Sequence, residues 1–265
     1  MSVDIRVPVL MYHRVGEARN SWEARFAISP ERFAEHMRAL AKAGFQAVSV
    51  DALYRWLDGS ENVPENSFVL TFDDGFKGVY DYAFPVLKEL GWPFTVFMVS
   101  SLIGGQDEWT RHSNPDKRSF PLLAVDEIKE MQARNCSFQS HTRSHPKLPT
   151  LDDEQLADEL EKSREDLSEL LGCDIDYFAY PYGLVDARVE KACREAGYRA
   201  AFSTRSGFNR GDVNPFLIRR LEVYGTDTPA MLMRKVKLGC NEGTLGYMAQ
   251  YYWSRVTSRL VGARQ

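Results

Sequence analysis

Short apolar runs alternate with longer amphipathic ones along most of the chain, and this alternation constrains the fold more than any other feature. A run of about four to eight apolar residues between turn formers reads as a buried strand, whereas apolar residues three and four apart read as a helix with one buried side. "VPVLMY" precedes "SPERFAEHMRALAKAG", in which Ser29 is placed to cap, Pro30 opens the first turn, and Phe33, Met37, Leu40 and Ala41 share a face before Gly44. The same rhythm pairs "FQAVSV" with "DALYRWL", "SFVLTF" with "VYDYAFPVLKELG", "FTVFMV" with "LLAVDEIKEMQARN", "CSFQS" with "DDEQLADELEKSREDLSELLG" and "YFAY" with "DARVEKACREAG". "RAAFST" and "FLIRRLEV" supply the last strand candidates, and Thr150 with Asp153 forms a capping-box signature ahead of the long acidic helix.

Strands alternating with helices imply a parallel sheet, and seven or eight such units imply a closed α/β barrel. With 44% hydrophobic residues and no linker or low-complexity tract, residues 1–265 read as a single domain. The long irregular segment 104–121 has the length of a loop that covers a site or of a tolerated surface insertion. At the far end, about 243–262, Met248, Tyr252, Val256 and Leu260 recur at helical spacing with Arg255, Arg259 and Arg264 nearby. That pattern suits a final helix packed on the barrel, with weak association to an anionic membrane surface as the alternative.

A net charge of −4 gives no basic footprint for nucleic acid, so a neutral or small substrate is the better expectation. Cys136, Cys173, Cys193 and Cys240 form no C-x-x-C pair and read as ordinary reduced thiols. "MSVDIRVPVLMYH" carries no secretory signal pattern and no span is long enough to cross a bilayer, so a cytoplasmic location is expected.

In a parallel barrel the loops after the strands share one face, and active sites are built there. His13 follows "VLMY", Asp73 and Asp74 follow "FVLTF", His141 and His145 follow "CSFQS", and Pro181-Tyr182-Gly183 follows "YFAY". A lone histidine or turn proline on that rim needs no function, but three of the five histidines beside an aspartate pair amount to a metal-binding set. The histidines of "HTRSH" are four apart, which in a helical turn puts both on one side of the chain. Of the two neighbouring carboxylates, one could hold a cation while the other takes a proton from water acidified by that cation.

These residues resemble the polysaccharide deacetylases, carbohydrate esterase family 4: "TFDDG" (71–75) is similar to the first family motif, "HTRSH" (141–145) to the second and "YPYG" (180–183) to part of the third. The resemblance extends from about His13 to Val223 and implies a distorted (β/α)7 barrel with parallel strands. It implies Asp73 as general base, Asp74, His141 and His145 as ligands of a divalent metal, zinc by expectation, and Pro181 and Tyr182 at the substrate, with the Tyr182 N–H on the oxyanion. The family's arginine two residues before the motif-three proline is Ala179 here, leaving Arg219 or Arg220 to steer Asp73. No histidine follows His145 to serve as the usual late acid. In the branch resembling poly-N-acetylglucosamine deacetylases the acid comes from an early strand, which implies His13. The expected reaction is removal of N-acetyl groups from a carbohydrate. The alternatives are an allantoinase-like hydrolase of a small amide, a silent barrel stacking sugars on Trp22, Trp109 and Tyr182, and a non-haem iron oxygenase.

Overall fold

The computed structural model describes residues 5–250 and Trp253. In chain order the elements are β1 (Val9–Tyr12), β2 (Arg14–Val15), β3 (Ala27–Ile28), α1 (Pro30–Lys42), β4 (Gln46–Val48), α2 (Val50–Leu57), β5 (Ser67–Phe72), α3 (Phe84–Leu90) and β6 (Phe94–Met98). There follow α4 (Glu108–Arg111), α5 (Val125–Gln132), β7 (Cys136–Ser140), α6 (Asp153–Leu171), β8 (Tyr177–Ala179), α7 (Ala187–Glu195), β9 (Ala200–Phe202), β10 (Leu221–Glu222) and α8 (Pro229–Leu238).

The main sheet is parallel in the order β10-β1-β5-β6-β7-β8-β9, with β4 added beside β5. One segment joins its two ends: Ile218 bridges Phe202 of β9, and Leu221 pairs with Leu10 of β1. The ring is therefore a distorted (β/α)7 barrel. Val9, Val69, Phe97, Tyr177, Ala179, Phe202 and Ile218 fill its interior, joined by Val50 and Leu53 of α2. The alternate residues Leu10, Phe68, Leu70, Val96, Phe138 and Phe178 face the surrounding helices. This period of two is why the strands read as unbroken apolar runs: each face is buried, one by the ring and one by helices.

Local chemistry sets the element ends. Ser29 caps α1 by accepting from the Arg32 N–H, with Pro30 in the first turn, as its sequence implies. The long acidic helix α6 is capped by Asp152, reciprocated by Gln155, and not by Thr150, which lies in a preceding 3₁₀ turn. Both residues can cap; here Asp152, the extended residue next to the helix, accepts from the Gln155 N–H at 2.8 Å. The short pair β2–β3 carries no sequence signature. Residues 245–250 are helical, and the rest of the proposed amphipathic stretch, except Trp253, lies outside the described residues. Among the described residues no helix is long and apolar enough to cross a membrane.

Candidate active site

The inward residues of β5, Val69 and then Thr71, lead to Asp73, whose N–H still donates to Tyr12 O at 2.9 Å. Asp73 therefore continues the strand and points into the ring. Asp74 breaks the alternation with φ 72°, a left-handed backbone that costs a non-glycine residue about 1–3 kcal/mol. The break sends two adjacent carboxylates to separate partners.

Asp73 meets Arg220, which is wholly buried and donates from Nη1 to Oδ1 at 2.6 Å and from Nη2 to Oδ2 at 2.7 Å. Arg220 is fixed in turn by its Nε bond to Ser203 O at 3.0 Å. Burial pushes the Asp73 pKa up, but the charges of Arg220 and His141 outweigh it and hold the carboxyl below its ordinary value. Arg219 faces away, donating from Nη1 to Phe208 O. Of the two arginines open on the sequence, Arg220 is the one at Asp73.

The histidine pair is assembled by a loop and not by the helical turn that its spacing suggests. The His141 N–H donates to Met98 O at 2.8 Å, closing the end of β7, after which Thr142 (φ 70°) and His145 (φ 66°) both adopt the left-handed region. Glu159 on α6 holds the turn: its Oε2 accepts from the N–H groups of Arg143 and Ser144, each at 2.9 Å. The Nε2 atoms of His141 and His145 end up 3.5 and 3.3 Å from Asp74 Oδ1. All three residues are buried, and among the described residues they are the one group of His, Cys, Asp and Glu able to grip an ion.

The trio fits a metal on two grounds. A tetrahedral ion with bonds of about 2.0–2.1 Å spaces its ligand atoms about 3.3–3.4 Å apart, close to the separations of both nitrogens from the carboxylate. In addition, His141 Nδ1 donates to Ala179 O at 2.7 Å, so in the neutral ring Nε2 presents a lone pair to Asp74. Lone pairs facing one another need a positive charge between them. Burial lowers the basicity of both rings, yet the hydrogen bond to Asp74 leaves His141 raised while His145 stays lowered. Asp74 itself is held far below the carboxylate range, its burial outweighed by the two imidazoles. The trio is a seat for one metal ion.

A cavity of about 470 Å³ opens above it, lined by His13, Asp73, Asp74, His141, His145 and Tyr182 among others. His13 follows β1, stands edge-on to Phe26 at 5.6 Å, and has its Nδ1 buried without a partner. Tyr182 (φ 58°) is 48% exposed at the rim with its ring edge against His145 at 4.6 Å, while Pro181 is buried beneath it and does not line the cavity. Next to it, Gly183 (φ +67°) leaves no room for a side chain, since a Cβ there would lie 2.0 Å from Thr204 Oγ1.

Segment 104–121 covers this site. Its α4 places Trp109 on His145, ring centroids 4.5 Å apart. Asp107 is buried in the same wall, where desolvation pushes it up to about 6 against the opposing hydrogen bonds from the Thr110 hydroxyl and the Phe120 N–H. Neither Asp107 nor Glu159 stands out in the sequence, because each works through a contact remote in the chain or a backbone partner.

The chain is similar to proteins already known. The chain is 26% identical over 218 residues to YxkH of Bacillus subtilis, whose name places it with the polysaccharide deacetylases, covering 82% of this chain and 71% of that protein. It is 28% identical over 169 residues to the poly-β-1,6-N-acetyl-D-glucosamine N-deacetylase of Staphylococcus epidermidis, covering 60% of this chain and 55% of that one. The structure of IcaB from Ammonifex degensii superposes with a TM-score of 0.72 at 29% identity, covering 89% of this chain and 97% of its own. The sequence model of the polysaccharide deacetylases matches residues 60–201, more than half of the chain, and the match takes in β5 with its two aspartates and the whole histidine loop. The chain belongs to the polysaccharide deacetylase family.

Proposed function

We propose that this protein is a metal-dependent hydrolase that removes N-acetyl groups from N-acetylglucosamine-type sugars in a polysaccharide, oligosaccharide or lipid-linked glycan. The observation that carries the reading is the convergence of Asp74, His141 and His145 at 3.3–3.5 Å beside a second carboxylate, Asp73, that an arginine keeps ionised. Asp74, His141 and His145 would hold the ion, and their oxygen and nitrogen donors suit zinc. When bound, a divalent cation supplies a Lewis acid that acidifies water and polarises the acetyl carbonyl.

The remaining work falls to side chains. Asp73, ionised at neutral pH, takes the proton from the attacking water as general base. The Tyr182 N–H, on a left-handed residue that lines the cavity, would donate to the charge that develops on the carbonyl oxygen. An amine leaves poorly unless protonated, so an acid is required on the other side, and His13 in the cavity wall supplies it. Residues 1–265 act as one catalytic domain in this reading, since the site draws on β1, β5, β7, the turn after β8 and the closing segment at Arg220.

The test is metal content by elemental analysis with acetate release from β-1,6-linked N-acetylglucosamine oligomers. Asp73→Asn should retain metal and lose turnover by roughly 10²–10⁴, whereas His141→Ala should lose the metal. Near-normal turnover in Asp73→Asn would refute the assignment of the base. Iron with oxygen uptake, or acetate release at background, would refute the reaction class.

A further inference from the structure

Resting on the metal reading above, we infer that Trp109 is a positioning residue for the ligand His145, fixing the imidazole by ring stacking where a hydrogen bond ordinarily does so. A metal-binding histidine is usually oriented by its second nitrogen, which donates to a carbonyl or carboxylate. His141 obeys this through its 2.7 Å bond from Nδ1 to Ala179 O. His145 does not: the residue is 6% exposed and its Nδ1 is buried with no partner.

Its ring is held by aromatic neighbours instead. The Trp109 indole lies over it at 4.5 Å with an interplanar angle of 26°, and the Tyr182 ring meets it edge-on at 64°. Rotation about Cβ–Cγ would drive the imidazole edge into the indole, so the stack fixes the direction of Nε2 toward Asp74. A cation on Nε2 draws electron density from the imidazole, and an indole face is the strongest aromatic partner for an electron-poor ring. The stack therefore strengthens when the ion is bound, which makes it a contribution to metal affinity and not to packing alone.

The indole is placed in advance by its own segment. Phe120, whose N–H donates to Asp107, has the guanidinium groups of Arg14 and Arg118 at 3.9 and 4.9 Å from its ring centroid. Both arginines are anchored on the buried carboxylate of Glu23. Segment 104–121 is thereby tied to the turn between β2 and β3 independently of any ion.

The experiment is Zn²⁺ and Co²⁺ affinity of the full chain by competition with a chromophoric chelator. Trp109→Ala should weaken binding roughly 2- to 13-fold, the equivalent of one aromatic pair, and alter the visible Co²⁺ spectrum. Trp109→Phe should restore most of both. Trp22→Ala, which lines the same cavity but packs on Phe26, should leave affinity at the parent value. Should the alanine variant fail to fold, Trp109→Leu fills the space without a ring and takes its place. Unchanged affinity in the ringless variant, or phenylalanine no better than it, overturns the inference while the metal reading stands. A parent protein that takes up no metal overturns both.

Discussion

The sharpest consequence of the site concerns Arg220→Met. The guanidinium is fully buried and makes three bonds of 2.6–3.0 Å, two of them to Asp73, which is itself 3% exposed. Methionine fills the volume but leaves a buried carboxylate without its counter-charge. Breaking such a pair costs about 3–5 kcal/mol, and at about 2–4 °C per kcal/mol for chains of roughly this size the melting temperature should fall about 6–20 °C. The sign of the pH dependence should also change. In the parent, the depressed Asp73 pKa contributes stability above the ordinary carboxylate range, and that contribution is lost as pH falls through the folded value. Without Arg220, burial dominates, the folded pKa rises above the unfolded one, and ionisation becomes destabilising as pH increases. The acidic limb of the acetate-release profile should accordingly move to higher pH. Adding Asp73→Asn to Arg220→Met removes the unpaired charge, so stability should return while turnover does not. Urea and thermal denaturation at several pH values from about 5 to 9, with rate profiles over the same range, test all four statements. A melting temperature within about 2 °C of the parent, or an unmoved acidic limb, would refute the reasoning.

Further expectations concern groups around the site. His36 is buried, accepts from the Tyr12 hydroxyl at Nδ1 and donates from Nε2 to Asp227 O, and burial lowers its pKa from 6.5 to about 4. Its neutral form supports the fold above pH 6.5, and this is lost as pH falls, amounting to about 2 kcal/mol by pH 5 and about 3 below pH 4. Urea denaturation of His36→Gln against the parent should show a flatter acid dependence, and parallel curves would exclude the assignment. Glu159→Ala removes the acceptor for two N–H groups of the histidine loop and should weaken metal binding about tenfold by chelator competition; unchanged affinity would show that the loop holds its shape unaided. Gly183→Ala places a Cβ 2.0 Å from Thr204 Oγ1 and should cost about 1–3 kcal/mol in denaturation together with turnover, whereas full activity would mean that the Tyr182 amide is not needed where it stands.

The proposed metal ligands are legible in the sequence because Asp74 and the two histidines lie within a few residues of the ends of β5 and β7, and a parallel barrel gathers such positions on one rim. β5 and β6 are equally plain, being largely apolar on both faces. What escapes is whatever depends on a partner distant in the chain. Adjacent Arg219 and Arg220 are equivalent as letters, and only the pairing of Ile218 with β9 decides which of them turns inward. The four-residue spacing of His141 and His145 suggests a helical turn, yet the loop is shaped by left-handed Thr142 and His145 and by the carboxylate of Glu159. Trp109 stands out in the sequence only as an aromatic able to stack on a sugar, and its contact with His145 is hidden there because another loop brings that ring to it.

The segment that closes the barrel also bears on biosynthesis. Residues 218–222 form the seam between β9 and β1, and Arg220 lies within it. A ribosome therefore extrudes His13, both aspartates and both ligand histidines before the counter-ion of Asp73 exists, and until then that carboxylate has reason to stay hydrated and the ring to stay open. Completion of the fold and withdrawal of the Asp73 carboxylate from water into its pairing with Arg220 become a single late event.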